Sequence, residues 1–535
     1  MLLPHNATRY KGGSCMDTLL HKLGGKIKGV LEGFDRIIFK GRLPQFCRAA
    51  GMAAYLYHCG VLNKDYKDWV QNASAAIVRD AEAYTMSQIG TGVEYLSSCH
   101  IRKEGRAHEQ QMKSGVTSGL IGAWSCLESC RTYKAVYDSA AGFPQIRSTP
   151  SRCKHLYFYY DHEDYGFMSV RLQTWAPYEV QIAMNGREWL KRLLDKEDIP
   201  YVLEGNKFLD AADFETAQRL LNSQLDTRWV ETLSGFVPIV FPSMKNLLKD
   251  EMSYTWTLWQ SEWAKDYIFH DPKVLWEQMK PMLRHAFITG TSDRVLRYMG
   301  HPVQKNGQPH WKADPELISR VALWHDGARI RHWVDKNSLK FYNEQNVLRF
   351  EFTMNNPSRF RIHRTVVGNG SEAKKFLPMR KGIADINVRT QICSARIKNL
   401  TEQMATLDED ISVGELLAGV TGPIKTNGKR YRGLDVSGKD LAFLQAIADP
   451  KYSVDAITNK HLQSVLGNTP WANGLIGRGL SGRISRHLRL LREHGLIKKL
   501  PNQHRYTLTA KGRLLTTALS QFLSVNLSDL SKIAA

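Results

Sequence analysis

The pattern of apolar and polar positions changes along the chain, and these changes divide it into segments. Residues 17 to about 145 carry apolar side chains at helical spacing, as in Leu19, Leu20 and Leu23, which predicts a mainly helical region. Residues 154–186 instead hold three short β-rich runs separated by turn residues. Three strands followed by a helix predict an α+β sheet domain with one covered face.

The second half of the chain repeats this change of pattern. Residues 212–325 are rich in tryptophan and return to helical spacing, whereas Ser338–Tyr342 and Val347–Met354 flank a four-residue turn, as in a β-hairpin. The predicted fold is therefore α+β and multidomain, with a helical N-terminal region, small antiparallel sheet domains and a C-terminal winged helix. The predicted divisions are a helical region 1–150, a sheet domain 151–211, a Trp-rich helical region 212–328, a basic hairpin region 329–407, a linker 408–436 and a winged-helix domain 437–535.

The last hundred residues predict three helices, a strand–turn–strand wing and a closing helix. In the third helix, 480–494, the apolar side chains of Ile484, Leu488 and Leu491 fall on one face, which leaves the arginines for solvent. Residues 437–535 carry a net charge of +9. The candidate DNA contacts are Arg483, Arg486, Arg489, Lys498, Lys499, His504 and Arg505.

The stretch 483–497, with Arg505-Tyr506-Thr507-Leu508-Thr509 and Gly512, resembles the MarR-type and related winged-helix families. This resemblance implies a helix in the major groove of DNA and a wing on the adjacent backbone. The stretches 33–41 and 171–175 are similar to a bacterial family that often occurs in many copies per genome and is loosely labelled as regulators. Such multiplicity suggests a mobile genetic element, and no established activity comes with the likeness.

The overall charge points to a polyanionic partner. The formal net charge is +21, and such an excess of cations usually persists because nucleic acid offsets it. No run of about 18 apolar residues and no signal peptide are evident, so we expect a cytoplasmic, nucleoid-associated protein without a membrane partner. The eight cysteines form no zinc pattern and are expected to be reduced thiols. The sequence leaves a homodimer open.

Strand alternation predicts two polar faces that could contact bases and phosphates of DNA or RNA. In the first strand set the tyrosines, Arg171, Gln173 and Trp175 oppose apolar faces, and in the hairpin Lys340 and Arg349 oppose Leu348 and Phe350. Residues 329–389 carry a net charge of +8. The alternative is an ordinary solvated face. The candidate contacts of these regions are Tyr157, Tyr159, Arg171, Gln173, Trp175, Lys340, Arg349, Arg359, Arg361 and Arg364.

Catalysis depends on whether carboxylates converge, because metal-assisted phosphodiester cleavage needs two or three of them around Mg²⁺. Asp161 ends the first strand, Glu351 lies on the polar face of the hairpin, and Glu262 and Asp266 share a face of an expected helix. A Mg²⁺-dependent nuclease or recombinase would use these four, with Asp161 and Glu351 as metal ligands. The alternatives are a large MarR-like transcriptional regulator and a non-catalytic RNA-binding scaffold protein.

Overall fold

A computed structural model describes most of the chain, in two compact units. The sheet unit comprises residues 28–272 and 318–395, and the C-terminal unit comprises residues 1–27, 273–317 and 396–535. No helix in the described ranges is long and apolar enough to cross a membrane. The described residues are 17–248, 252–290, 292–301, 316–325, 327–368, 371–405, 413–426, 428–449, 452, 456–500 and 503–522.

One sheet of eleven strands dominates the sheet unit, in the order β10-β11-β12-β13-β9-β1-β6-β5-β4-β3-β2. Two small hairpins, β7–β8 and β14–β15, stand beside it. The strands are β1 (Ile27–Arg42), β2 (Glu94–Tyr95), β3 (Gly119–Asp138), β4 (Phe143–His162), β5 (Gly166–Gln173), β6 (Val180–Asn185), β7 (Tyr201–Glu204), β8 (Lys207–Ala211), β9 (Thr255–Phe269), β10 (Ile318–Trp324), β11 (Gly327–Val334), β12 (Asn337–Glu344), β13 (Val347–Met354), β14 (Arg361–Gly368) and β15 (Ser371–Pro378).

Helices of the sheet unit follow β1 and β6 in the chain and pack on the sheet. They are α2 (Ala49–His58), α3 (Tyr66–Ile89), α4 (Lys103–Ser114), α5 (Gly186–Lys196), α6 (Phe214–Ser223), α7 (Trp229–Gly235), α8 (Val237–Val240) and α9 (Met244–Leu247), while α12 (Ile386–Ala405) begins in this unit and ends in the other.

The large sheet has two halves with the same topology. In each half a long strand is followed by an antiparallel meander of four strands, the last of which returns to pair with that long strand: β6 with β1, and β13 with β9. The halves meet where β1 lies beside β9. Thr255 donates from Oγ1 to the carbonyl of Arg42 and Thr257 to that of Lys40, so these two central strands run antiparallel.

The predicted strands exist, but they belong to one sheet and not to separate small domains. The hairpin is confirmed, but its turn has two residues rather than the predicted four, since Glu344 pairs with Val347. The apolar face predicted for the first strand set is also confirmed, since Phe158, Val170 and Ile182 are fully buried. The two predicted sets of strands are joined by β1 and β9, which the sequence pattern did not reveal.

Two regions predicted to be helical contain long strands. In the region 1–150, β1 and β3 are strands, and residues 120–126 of β3 are buried on both faces, which removes the alternation that marks a strand. In the Trp-rich region 212–328, β9 is a strand that suits its three tryptophans. Glu262 and Asp266 share a face in a strand as they would in a helix, so their spacing did not distinguish the two.

The C-terminal unit contains the predicted three helices, the two strands of the predicted wing and the closing helix, together with a short third strand, Ile457–Thr458, that was not predicted. The helices at 441–447 and 459–466 are confirmed, and the third runs from Gly477 to Glu493. The elements of this unit are α1 (Thr18–Leu23), α10 (Pro272–Thr289), α11 (Ser292–Tyr298), α13 (Val413–Thr421), β16 (Ile424–Thr426), β17 (Lys429–Tyr431), α14 (Leu441–Ile447), β18 (Ile457–Thr458), α15 (Asn459–Leu466), α16 (Gly477–Glu493), β19 (Ile497–Lys499), β20 (Arg505–Leu508) and α17 (Ala510–Phe522).

The segment 408–436, predicted to be a linker, contributes four buried side chains to this unit's core: Leu416, Val420, Leu434 and Val436. Its described residues form α13 and the β16–β17 hairpin. Val420 and Leu434 are buried in the same hydrophobic cluster as Leu488 of α16. Glycine and lysine in this segment suggested a linker, but the apolar side chains between them pack against the helices.

Leu434→Ala should therefore destabilise the C-terminal unit by about 2–5 kcal/mol, the usual cost of truncating a buried leucine. Hydrogen exchange of the slowest amides in α14 and α16 measures this free energy of opening. Leu475→Ala, at a side chain that is 37% exposed, is the matched control and should cost less than about 0.5 kcal/mol. Equal, small effects of both changes would show that the segment is a linker after all.

Candidate metal centre

Three carboxylates from three neighbouring strands meet at the centre of the sheet. Asp35 of β1, Glu262 of β9 and Glu351 of β13 each offer an oxygen, and these oxygens all lie within 4.8 Å of one another. The strand order β13-β9-β1 places the three side by side, since neighbouring strands are about 4.8 Å apart. We call these residues the acidic cluster.

A buried ion-pair network holds Asp35 in place. The guanidinium of Arg349 donates from Nη1 to Asp35 Oδ1 at 3.0 Å and from Nε to Asp266 Oδ1 at 2.6 Å. Arg187 of α5 lies 2.9 Å from the other oxygen of Asp266. Both arginines are completely buried. Gly186 allows α5 to start against β1, because a Cβ there would lie 2.3 Å from the carbonyl oxygen of Phe34.

Each acid of the cluster has one oxygen held by a neighbouring polar group. Asn206 donates to Asp35 Oδ1 at 2.7 Å, and Gln260 donates to Glu262 Oε1 at 2.6 Å. Lys340, which pairs with Glu351 across β12 and β13, has its Nζ 2.6 Å from Glu351 Oε1. Such partners orient metal-binding carboxylates in known sites.

Glu351 has the feature that points most directly to a ligand. Its side chain is 1% exposed, and its Oε2 atom is buried without a hydrogen-bond partner. A buried carboxylate oxygen normally has a partner, because leaving it without one costs free energy. Glu351 is a member of the acidic cluster, and a cation bound there would satisfy the free oxygen.

Burial and neighbouring charges shift the pKa values of the two glutamates in the cluster. Burial and the nearby carboxylates of Asp35 and Glu262 raise the pKa of Glu351 to about 7, although Lys340 opposes the shift. Burial and Asp35 also raise the pKa of Glu262. Arg187 and Arg349 balance Asp35 and Asp266, whereas among the described residues Lys340 is the one cation within ion-pair distance of either glutamate. The carboxylates of the cluster repel one another, and a proton or a metal ion would relieve that repulsion.

A cleft of about 320 Å³ reaches two members of the cluster, whereas the buried Glu351 does not line it. Asp35 and Glu262 line it, together with Arg36, His108 and Asn206. Oxygen ligands from carboxylates suit Mg²⁺, which keeps several waters and binds through one or two carboxylates. The cleft leaves room for those waters and for a substrate oxygen.

The structure separates two of the four predicted catalytic acids from the site. Asp161 lies on β4, five strands from Glu351, or about 24 Å at the usual strand spacing. It is bound by Arg192 and by Gln111, so its assignment as a metal ligand was wrong. Asp266 is enclosed by Arg187 and Arg349. Glu262 and Glu351 are brought together, and the third member, Asp35, was missed.

Asp35 had a signal in the sequence. It lies in 33–41, where Ile37, Ile38 and Phe39 are typical of a strand. An acid within such a strand is a candidate ligand, but the region was interpreted as helical.

Several predicted nucleic-acid contacts are buried or already engaged. Arg349 is completely buried in the ion-pair network, which makes it a structural residue. Tyr159 is 7% exposed and packs against Trp124 and Phe167, so it offers no free ring for stacking. Gln173 is buried. The half-buried members are Tyr157, Arg171, Trp175 and Lys340. Arg171 pairs with Glu128, and Trp175 lies beyond the end of β5.

Other predicted contacts remain exposed. Arg359, which pairs with Asp335, and Arg361 are exposed, and Arg364 is half-buried on β14. In the C-terminal unit, Arg483 is half-buried with its guanidinium 4.7 Å from the ring centroid of Trp471. The exposed members there are Arg486, Arg489, Lys498, Lys499, His504 and Arg505.

Comparisons of the chain with protein-family models, with curated proteins and with solved structures found no match.

The raised pKa of Glu351 predicts how stability depends on pH. Its carboxyl is ionised above pH 4.5 in the unfolded chain but only above about 7 in the folded one. The wild type should therefore lose stability relative to Glu351→Gln as the pH rises between these values. The loss should reach on the order of 3 kcal/mol and stay constant above pH 7.

Urea unfolding at a series of pH values, with chelator present, measures this difference. Mg²⁺ should reverse the loss in the wild type and leave Glu351→Gln unchanged, because bound metal takes the place of the proton. Parallel pH profiles for the two proteins would contradict the assigned environment of Glu351.

Proposed function

We propose that this protein binds nucleic acid and cleaves or transfers its phosphodiester bonds with Mg²⁺ held by Asp35, Glu262 and Glu351. The observation that carries the proposal is the buried, unpartnered Oε2 of Glu351, a residue of the acidic cluster. The bound metal would polarise the phosphoryl oxygen and stabilise the charge of the transition state.

The surroundings of the cluster suit a phosphate substrate. Lys340 of β12 pairs across the sheet with Arg331 of β11, and Arg36 lines the cleft. These cations would hold the phosphate while the acids hold the metal. The net charge of +21 favours a polyanion over a small phosphate ester. DNA or RNA of a mobile genetic element is the substrate that we propose.

A transcriptional regulator or a non-catalytic RNA scaffold would not need the cluster. In either case buried acids would be expected to be neutralised by protein cations, as Asp266 is by two arginines. The mutual repulsion of the buried carboxylates, which raises the pKa of both Glu262 and Glu351, therefore supports the enzyme.

Asp35→Asn and Glu351→Gln should each reduce Mg²⁺-dependent cleavage of labelled DNA and RNA at least about 100-fold, since each removes a charge that holds the metal. Nucleic-acid affinity without metal should stay within about twofold, because both residues bind metal and not the phosphate backbone.

Asp161→Asn is the matched control, since that acid lies outside the cluster, and it should retain cleavage. Isothermal titration with Mn²⁺ separates metal binding from chemistry. If neither nucleic acid is cleaved and Mn²⁺ binds the wild type and Glu351→Gln equally, the binding-only functions take the place of this one.

We propose further that the end of the chain is a winged-helix domain that binds duplex DNA. The order α14-β18-α15-α16-β19-β20-α17 and the three-stranded sheet β18-β20-β19 support it. A concave basic surface next to α16 adds Arg430, Arg432 and Lys439 to Arg483 and Arg486. Phosphate neutralisation by these side chains would supply much of the affinity.

Arg486→Ala should weaken duplex DNA binding by about 1–3 kcal/mol if its exposed side chain contacts a base. Arg492→Ala is the matched control on the same helix, because Arg492 already pairs with Glu493 at 2.7 Å. Fluorescence anisotropy over a salt series measures both. Equal affinities for the two variants would place the DNA on another surface.

A further inference from the structure

Three cations surround one indole ring on β9, apart from the acidic cluster. The Nζ atom of Lys381 lies 3.4 Å from the ring centroid of Trp259, the Nζ atom of Lys40 lies at 4.2 Å, and the guanidinium carbon of Arg42 lies at 6.0 Å. The face of an indole attracts cations, which keeps these groups together despite their like charge. We call Trp259, Lys40, Arg42 and Lys381 the tryptophan–cation cluster.

This cluster has more positive charge than its protein neighbours balance. Lys40 and Arg42 share one carboxylate, Glu179, at 2.6 and 3.0 Å. Among the described residues, no carboxylate lies within ion-pair distance of Lys381. Burial and the nearby charges of Arg389, Lys40, Lys336 and Arg42 lower the pKa of Lys381 to about 8.

Arg389 adds a buried charge behind the cluster. It is 1% exposed, and its hydrogen bonds go to neutral acceptors, the hydroxyl of Ser261 and the carbonyl oxygens of Leu258 and Met354. No carboxylate of the described residues pairs with this guanidinium, which is uncommon for a buried charge. An anion on the surface would complete the balance.

The main chain fixes the position of Lys381. Leu258 donates its backbone N–H to the carbonyl of Lys381 at 2.7 Å, so the residue is tied to the edge of β9. A cavity of about 350 Å³ next to Lys40 and Arg42 is lined by two more arginines, Arg131 and Arg171. Trp259 lies on β9 and Arg171 on β5, three strands away, so the cations extend over about 14 Å across the sheet.

We propose that the tryptophan–cation cluster binds phosphodiester groups of a nucleic-acid strand. The proposal rests on the proposed function for the identity of the polymer. A single free phosphate would need one compact site, whereas the cations here extend over a length that spans a few successive phosphates. The tryptophan–cation cluster would anchor the nucleic-acid strand on the sheet unit, independently of the proposed winged helix.

The test uses the full chain carrying Glu351→Gln, without Mg²⁺, so that binding is measured apart from cleavage. In this parent, Lys381→Ala should weaken the binding of a fluorescein-labelled oligothymidylate roughly 3- to 5-fold and lower the salt slope by about one. Lys381→Arg should restore both values, because it keeps the charge. Lys113→Ala, at an exposed lysine of α4, is the matched control and should change neither.

Chemical modification gives a second measurement. Near pH 8, where Lys381 is partly deprotonated, an amine-acylating reagent should modify it, and the oligothymidylate should protect it while leaving Lys113 reactive. Unchanged affinity and salt slope in Lys381→Ala would overturn the proposal. Protection by inorganic phosphate with unchanged oligothymidylate affinity would overturn it in favour of a free-anion site.

Discussion

The ion pairs of Arg349 tie together the central strands of the large sheet. This one side chain, on β13, contacts Asp266 of β9 and Asp35 of β1, and Asp266 in turn contacts Arg187 of α5. Removing such charges from water is costly, and only close, balanced partners offset that cost. The network therefore requires the two halves of the sheet to meet in one register, with β1 beside β9.

The same register creates the acidic cluster. Once Asp35 is fixed by Arg349, the carboxylates of Glu262 and Glu351 lie within reach of it. Within the part of the chain that the structure describes, Lys340 is the one cation at ion-pair distance from either of them. The residues of the structural ion pairs thus lie next to the candidate metal ligands. Asp266 takes part only in the ion pairs, Glu351 is a candidate metal ligand, and Asp35 takes part in both. In the tryptophan–cation cluster positive charge predominates instead, since two cations, Lys40 and Arg42, share the single carboxylate of Glu179.

Local patterns were reliable where an element has one buried and one exposed face. The helices of the C-terminal unit and the β12–β13 hairpin follow from alternation and helical spacing, because those periods mark which side chains meet the core. Patterns failed for β3 and β9, which are covered on both sides or irregular in burial. The segment 408–436 was predicted to be a linker for another reason, since its glycines and lysines outnumber the four side chains that are buried in the core.

By itself the sequence determined the basic charge, the α+β class, the C-terminal helices and the presence of Glu262 and Glu351 as acids on a regular element. Only the tertiary structure decided that Asp35 joins them and that Asp161 does not, because that depends on which strands become neighbours across more than 200 residues of chain. It also decided that Arg349 is buried and Arg486 exposed. Residue type sets the charge of a side chain, but burial and neighbours set whether that charge stabilises the fold or is free to bind a ligand.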